Sequence, residues 1–593
     1  MASRHRVVDH IVEYLAASGV DFIFGVDGAN IEDIYDAAFF RDDITAVLAK
    51  HEFSAATMAD GFSRSGAGLG VVVATSGGGC LNTVPGLGEA FASRVPVLAL
   101  IGQPPTTLDG LGSFQDTSGR NGALDAEALF SAVSVFCRRI VTPQDIVSAL
   151  PEAVAAARTG GPAVLLLPKD IQQAEIGVNG GVRGFEPTGT QLGDPDAIAY
   201  ALRTADGPIT IIAGEQVARD DARVELEQLR AMLRARVATV PDAKDVAGTP
   251  GMGSSSALGV SGIMGNPGVA DAVAESSVCL LLGTRLSVTS RAGLDKALAS
   301  VPLFSIGSAA PYLPCTHIHT DDLRGSLALL TAALSGHGLP TGTRVPDEVR
   351  QTELRPPAFG GPGIRYRDAM TVLDAALPDG ADIVVDAGNI GASAIHYLPV
   401  RRDGRFVVAL GMGGMGYSFG AGIGMSFGTM SARANWGHLP PGGQGDRRQS
   451  GRVIVIAGDG SFFMHGMEIH TALQYRLPIT FLLFDNHAHA MCVTREQLFY
   501  DDLYSYNRFG PSRLGAGLAT MFPGLHAVDV DDITELQTAV LTALDVDGPS
   551  VVSVECAADE IPPFAAFLGS AVSAAAQQPL ITKENHSSVT ARA

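Results

Sequence analysis

The chain has 593 residues, a formal net charge of −21, 46% apolar residues and 17% charged residues. That acid excess disfavours nucleic acid and anionic membrane as partners, because binding phosphates calls for clustered Lys and Arg. The length exceeds what one hydrophobic core fills and predicts three or four domains, and the six cysteines, scattered without metal-type spacing, read as reduced thiols of a cytoplasmic protein.

Taken in chain order, residues 7–24 follow an amphipathic helical pattern without the long apolar centre of a signal peptide. Strand-length apolar runs follow at 71–74 and 96–100, and a first block of alternating strand and helix patterns occupies residues 1–175. A Gly-rich linker, 178–194, leads to a second block at 190–340, whose strands include 209–213 and 278–282. No G-x-G-x-x-G follows its first strand, so a nicotinamide site is not expected. Pro and Gly punctuate residues 339–363, and a third block spans 364–560. It contains a strand ending at Val385-Asp386-Ala387-Gly388, a Gly-rich stretch at 411–420, a Pro/Gly-rich insert at 434–451 expected as a surface loop, and strands at 452–457 and 478–484. A helical pattern at 467–475 lies between the last two. Residues 569–593 drift into Ala, Ser and Gln, as flexible tails do. Every apolar run stops well short of the roughly 20 residues a spanning helix needs. Repeated strand–helix alternation predicts an α/β fold of three stacked parallel-sheet domains.

The strand at 452–457 breaks at Gly458-Asp459-Gly460, and that at 478–484 ends in Asp485-Asn486. If the two strands are parallel, both ends reach one edge of the sheet. Asp459 and Asn486 would then offer a carboxylate and an amide oxygen to Mg²⁺, which readily shares about six oxygen ligands with substrate phosphates. Gly-Asp-Gly alone is a common turn. Asp485, His487 and His489 would suit a transition metal only with a further well-spaced His or Cys, which the sequence does not supply.

The whole stretch Gly458-Asp459-Gly460-Ser461-Phe462 … Arg476-Leu477-Pro478-Ile479 … Asp485-Asn486 resembles the diphosphate-binding motif of thiamine diphosphate enzymes. Residues 50–64, from Lys50-His51-Glu52 to Arg64, resemble that family's pyrimidine-domain signature. Gly411-Met412-Gly413-Gly414-Met415-Gly416 resembles a segment of acetolactate synthase large subunits. The resemblance extends over nearly the whole chain, through Thr75-Ser76-Gly77-Gly78-Gly79, Ile101-Gly102-Gln103 and Phe114-Gln115.

This likeness implies a three-domain fold, pyrimidine-binding, central and diphosphate-binding, that holds thiamine diphosphate and Mg²⁺. By position, Asp459, Asn486 and the Ala488 carbonyl would bind the metal. Gly388, Asn389, Ile390, Gly413, Gly458, Gly460, Ser461, His489, Ala490 and Met491 would line the cofactor. Glu52 would share a proton with its aminopyrimidine ring, and Met415 would bend it. The cofactor itself carries the carbanion chemistry while the protein orients and polarises it. An isolated Glu52 would read simply as a first-turn acid favoured by the helix dipole.

Acetolactate synthases carry Phe-Gln where Phe114 and Gln115 stand, whereas simple 2-oxo acid decarboxylases of the superfamily carry adjacent histidines for proton transfer. No His-His pair occurs here, so the enamine left by decarboxylation is expected to attack a second carbonyl compound rather than to be protonated. The implied activity is a decarboxylating carboligase acting on a 2-oxo acid, pyruvate first, with Gln115 facing substrate. Another thiamine diphosphate decarboxylase or lyase, or acyl transfer to a specialised-metabolite acceptor, is the alternative.

Two departures from the synthase pattern concern the acceptor. Arg495 falls about where the synthases have Trp, and it could grip an anionic acceptor or lie on the helix surface beside Glu496 or Asp501. The Lys that follows the synthases' Phe-Gln has no clear match around residues 131–137. In the middle block Gly283-Thr284-Arg285-Leu286 resembles a segment that contacts FAD in acetolactate synthases, but a lone Gly-x-Arg does not suffice to assign FAD. In the family the cofactor sits between one subunit's first domain and its neighbour's third, which implies a homodimer or homotetramer.

Overall fold

The computed structural model describes residues 5–177, 183–185, 191–247, 257–336, 351–435 and 451–569. Most of the linker, most of the insert and residues 570–593 of the expected tail lie outside the described residues.

Three parallel sheets of six strands each organise the chain. The first comprises β1 (Phe22–Val26), β2 (Thr45–Leu48), β3 (Gly70–Ala74), β4 (Val97–Gln103), β5 (Phe136–Arg139) and β6 (Pro162–Pro168), in the order β2-β1-β3-β4-β6-β5. The second contains β7 (Ile209–Ala213), β8 (Arg236–Thr239), β9 (Ala257–Val260), β10 (Val278–Leu282), β11 (Leu303–Gly307) and β12 (Thr316–His319), ordered β12-β11-β10-β7-β8-β9. The third is built from β13 (Asp382–Val385), β14 (Phe406–Val408), β15 (Val453–Gly458), β16 (Ile479–Asp485), β17 (His526–Val530) and β18 (Ser550–Glu555), ordered β14-β13-β15-β16-β18-β17. The first and third sheets therefore share one topology, and the second has its own. Every residue of β4, β6 and β16 is buried, which accounts for continuous apolar runs instead of an alternating pattern.

Two element boundaries differ from the sequence expectation. The helix expected over 7–24 is Val7–Ala17 followed by β1. Gly19, at φ +79°, turns the chain there, and the apolar residues beyond it are strand residues whose spacing happens to continue the helical pattern. The helix expected over 467–475 begins instead at Asp459 and runs as Asp459–His465, a single 3-10 turn Gly466–Glu468, and Ile469–Gln474. Gly460 and Gly466, poor helix formers, hide that early start from a propensity reading.

The first and third domains meet where helix Glu52–Arg64 packs on helix Tyr417–Asn435. The contact is backbone on backbone. A Cβ added to Gly424 would lie 1.9 Å from the Met58 carbonyl oxygen, and one added to Gly61 would lie 2.1 Å from that of Ala421. A buried polar set surrounds this crossing: Arg64 Nε donates to Asp60 Oδ1 at 2.7 Å, and the Tyr417 hydroxyl donates to the same oxygen. Arg405 joins all three domains, donating to Asp245 Oδ2 at 2.7 Å, to Glu215 Oε1 at 3.1 Å and to the Arg64 carbonyl.

Because the Met58 carbonyl is backbone and cannot swing aside, Gly424→Ala should force the two helices apart. The expected outcome is a loss of about 1–3 kcal/mol or more, read as a lower thermal midpoint of the purified chain. An unchanged midpoint would show that this crossing is loose.

Candidate active site

Parallel pairing of β15 with β16 in the register Gly458↔Phe484 brings Asp459 and Asp485-Asn486 to the same sheet end. Asp459 opens its helix and is buried, with Oδ2 accepting from Ala488 N at 3.0 Å. Its Oδ1 is buried without a hydrogen-bond partner, and so is Asn486 Oδ1. The Asn486 amide is aimed by donating Nδ2 to the Tyr366 hydroxyl at 3.0 Å. Two orphaned buried oxygens, one from a carboxylate and one from an amide, are the donor set a hard divalent cation takes. Burial first, and the neighbouring Asp485 second, hold the Asp459 carboxyl well above the usual carboxylate range.

The expected cofactor-lining residues gather at this end of the third sheet. Gly388, at φ +105°, caps helix Asn389–Tyr397, whose first residues Asn389 and Ile390 are buried. Asn389 Oδ1 is another buried oxygen without a partner. Ser461 donates to Asp386 Oδ1 at 2.6 Å, and Asp386 also accepts from the backbone of Gly416 and Ser418 at 3.1 and 2.9 Å. This binds the loop that carries Gly413 and Met415 to the strand ends. A Cβ built on Gly460 would lie 2.6 Å from His489 Nδ1 and 3.2 Å from Met415 Cε, so both side chains crowd over Gly460. Ala490 and Met491 begin helix Ala490–Phe499 directly after His489.

Glu52, Phe114 and Gln115 belong to the first domain. Glu52 is the first residue of its helix and accepts from Asn82 Nδ2 at 3.0 Å. The turn after β3 separates it from Gln115: Gly79 lies against Glu52 Oε1 and Gly77 against the Gln115 side chain. Gln115 adopts φ +61°, a left-handed conformation unusual for a side-chain-bearing residue, while Ser76 Oγ donates to its Oε1 at 3.2 Å. Phe114 is 82% exposed. Arg495 is an exposed residue of helix Ala490–Phe499.

Sequence reasoning missed Asp386 as a hub, Tyr366 as the orienter of Asn486, and Asn82 as the partner of Glu52. None of these pairs has a local spacing that could reveal it. Glu555 was also missed. His487 lies between Asp485 Oδ1, 3.1 Å from its Nδ1, and Glu555 Oε1, 2.9 Å from its Nε2. Both ring nitrogens thus face carboxylates, beside the Asp459 site. In the second domain Arg285 stacks 4.0 Å over the Tyr312 ring and lines a cavity of about 240 Å³ with Arg94 and Arg219. Glu215 and Asp242 line the same cavity, so its mixed charge assigns no flavin.

Comparison with known families is decided by three matches. Residues 5–123 match the thiamine pyrophosphate enzyme N-terminal TPP binding domain, 196–303 its central domain, and 386–554 its C-terminal TPP binding domain. The chain belongs to the thiamine pyrophosphate enzyme family. It is 29% identical to a probable acetolactate synthase large subunit of Methanocaldococcus jannaschii, over 90% of this chain and 89% of that one. It is 26% identical to the acetolactate synthase isozyme 2 large subunit of Escherichia coli K12, over 92% and 94%. The crystal structure of benzoylformate decarboxylase from Polynucleobacter necessarius has the same fold, with a TM-score of 0.76 at 20% identity, over 94% of this chain and all of that one. Among the described residues of this thiamine pyrophosphate enzyme no helix is long and apolar enough to cross a membrane.

A raised Asp459 pKa means that the folded protein without metal binds a proton there more tightly than the unfolded chain does. Its contribution is full below the ordinary Asp range and is lost as pH rises through the raised value. A Mg²⁺ ion taken up at Asp459 would have to displace that proton at low pH but not at high pH. Added Mg²⁺ should therefore raise the thermal midpoint more at pH 8 than at pH 6, and Asp459→Ala should abolish the difference. An Mg²⁺ effect independent of both pH and Asp459 would contradict this.

Proposed function

We propose that the chain is a decarboxylating carboligase that takes a 2-oxo acid, pyruvate first, as donor and a second carbonyl compound as acceptor. Bound thiamine diphosphate supplies the carbanion chemistry for both half-reactions. Asp459, Asn486 and the Ala488 carbonyl hold Mg²⁺ against its diphosphate, with Gly388, Asn389, Gly458 and Ser461 along the same sheet end. Met415, packed over Gly460, supports the bent ring system. Glu52 holds or gives up a proton at the pyrimidine ring, and its carboxylate accepts a hydrogen bond from Asn82.

The observation that carries the carboligase reading is Gln115. Its backbone is held in the left-handed region and its amide oxygen is engaged by Ser76; by the family resemblance, an amide stands where simple 2-oxo acid decarboxylases carry adjacent histidines. An amide does not protonate a carbanion, and the donor is left free to meet a carbonyl acceptor. The acetolactate synthase names of the relatives support the same reading.

Assembly as a homodimer or homotetramer completes the proposal. Leu81, Phe91, Met412, Phe463, Met464 and Met467 flank the site with exposed apolar surface, of the kind that a second copy covers.

Purified chain supplied with thiamine diphosphate, Mg²⁺ and pyruvate should release CO₂ and form acetolactate. Acetaldehyde as the main product would favour the decarboxylase alternative, and no pyruvate consumption with any acceptor would defeat the pyruvate assignment. Glu52→Gln should lower kcat by about 100-fold or more while leaving cofactor affinity near that of the unsubstituted chain. Unchanged kcat would remove Glu52 from its role.

A further inference from the structure

Two buried amides at the end of the third sheet have their nitrogen ends held and their oxygen ends bare. Asn486, 8% exposed, donates Nδ2 to the Tyr366 hydroxyl at 3.0 Å, and Asn389, 2% exposed, donates Nδ2 to the Glu560 carbonyl at 3.3 Å. Oδ1 of each is buried without a hydrogen-bond partner. The oxygen and nitrogen ends of a primary amide are nearly equal in shape, so packing does not choose between the two rotations of either side chain. Only the hydrogen bonds do.

The groups that make this choice come from the segment after β18. Cys556 N donates to the Asp485 carbonyl at 2.8 Å, which lays the start of the segment against the strand end that carries Asn486. The Ala557 carbonyl then accepts from the Tyr366 hydroxyl at 3.4 Å, and both Glu560 oxygens accept from Tyr366 N at 3.2 Å. At its far end Ala565 N donates to the Ile263 carbonyl at 2.8 Å, which anchors the segment on the second domain. Tyr366 is 1% exposed, and burial holds its phenol well above the ordinary tyrosine range, so the proton stays on the oxygen. With that proton directed to Ala557, the oxygen has only lone pairs to offer Asn486. The relay therefore has one polarity, from the Asn486 amide through the Tyr366 hydroxyl to the Ala557 carbonyl. A flipped amide would set its oxygen against those lone pairs and turn its N–H groups toward the cation.

We propose that Tyr366 and Glu560 are positioning residues that fix the rotation of the Asn486 amide, so that its oxygen and not its nitrogen meets Mg²⁺. Tyr366 supplies the acceptor that holds the nitrogen end, and Glu560 holds Tyr366 by its backbone. Mg²⁺ demands near-ideal placement of its oxygen ligands, and partners that orient a metal's ligands typically govern its affinity by about 10–100-fold. The role exists only with Mg²⁺ at Asp459 and Asn486, the placement proposed above. It involves the second and third domains of one chain, so it holds whichever subunit supplies the pyrimidine half of the site.

The test measures thiamine diphosphate binding to the full chain by titration calorimetry at a series of Mg²⁺ concentrations, without substrate. Tyr366→Phe keeps the ring and removes the acceptor of Asn486 Nδ2, and it should raise the Mg²⁺ concentration for half-maximal binding by about tenfold or more. Glu560→Ala should shift it in the same direction by about threefold or more, and it serves if Tyr366→Phe does not fold. Asn486→Asp presents an oxygen whichever way the side chain rotates. It should therefore improve Mg²⁺ affinity about tenfold more in the Tyr366→Phe chain than in the unsubstituted one, a rescue that mere loosening of the fold would not give. Circular dichroism verifies folding of every variant.

An unshifted Mg²⁺ dependence in folded Tyr366→Phe and Glu560→Ala, or an Asn486→Asp effect of equal size in both chains, would overturn the positioning role alone. Binding of thiamine diphosphate that needs no Mg²⁺ in the unsubstituted chain, or no binding at all, would overturn the underlying site assignment and the positioning role with it.

Discussion

The seating of the first domain on the third depends on two helices approaching until backbone meets backbone. Helix Glu52–Arg64 and helix Tyr417–Asn435 cross with glycine facing carbonyl on each side, Gly424 against Met58 and Gly61 against Ala421. Dispersion contacts are individually small and fall off steeply with a gap of even half an ångström, so the absence of a Cβ at these positions is a structural requirement.

Around that crossing the chain accepts a costly interior. Asp60, Arg64, Tyr417, Glu89, Glu468 and Arg405 are polar groups at or near the junction of domains, where an unpaired charge would be severely penalised. Each has close partners: Arg64 with Asp60, Tyr417 with Asp60, Arg405 with Asp245 and Glu215, and the two glutamates with backbone donors. Such groups contribute little net stability compared with an apolar core, but their directionality favours one relative arrangement of the domains. Single atoms of the junction residues, Asp60 Oδ2, Arg64 Nη2 and Asp245 Oδ1, are nevertheless buried and unpartnered, as are Asp459 Oδ1, Asn486 Oδ1 and Asn389 Oδ1. What distinguishes the last three is that they are oxygens gathered at one end of the third sheet.

The grouping of the candidate site residues at one sheet end was legible in the sequence because Asp459 and Asn486 sit at strand ends marked by glycine or acid. Gly458-Asp459-Gly460 and Asp485-Asn486 stand next to apolar runs that could only be buried strands, and a parallel sheet carries such ends to one side. Glu52 was legible through the residues around it and not through any property of its own. The groups that orient these residues were not legible. Tyr366 lies 120 positions from Asn486, and Glu89 lies more than 320 positions from the loop it grips; no local period encodes such contacts. The helix beginning at Asp459 was obscured for a different reason, because glycine carries low helix propensity wherever tertiary contacts later place it. Arg495 likewise carries no local signature, since an exposed arginine on a helix reads the same whether it binds substrate or water.

The central claim is that Asp459 and Asn486, at the end of the third sheet, form a metal-dependent diphosphate site. It is tested most directly by titrating the purified full chain with thiamine diphosphate in a calorimeter, in Mg²⁺ and then in EDTA, alongside Asp459→Ala and Asn486→Ala. The account predicts saturable binding of one cofactor per chain in Mg²⁺, lost in EDTA and lost or greatly weakened in both variants. Equally tight binding in EDTA, or in the two variants, would contradict it.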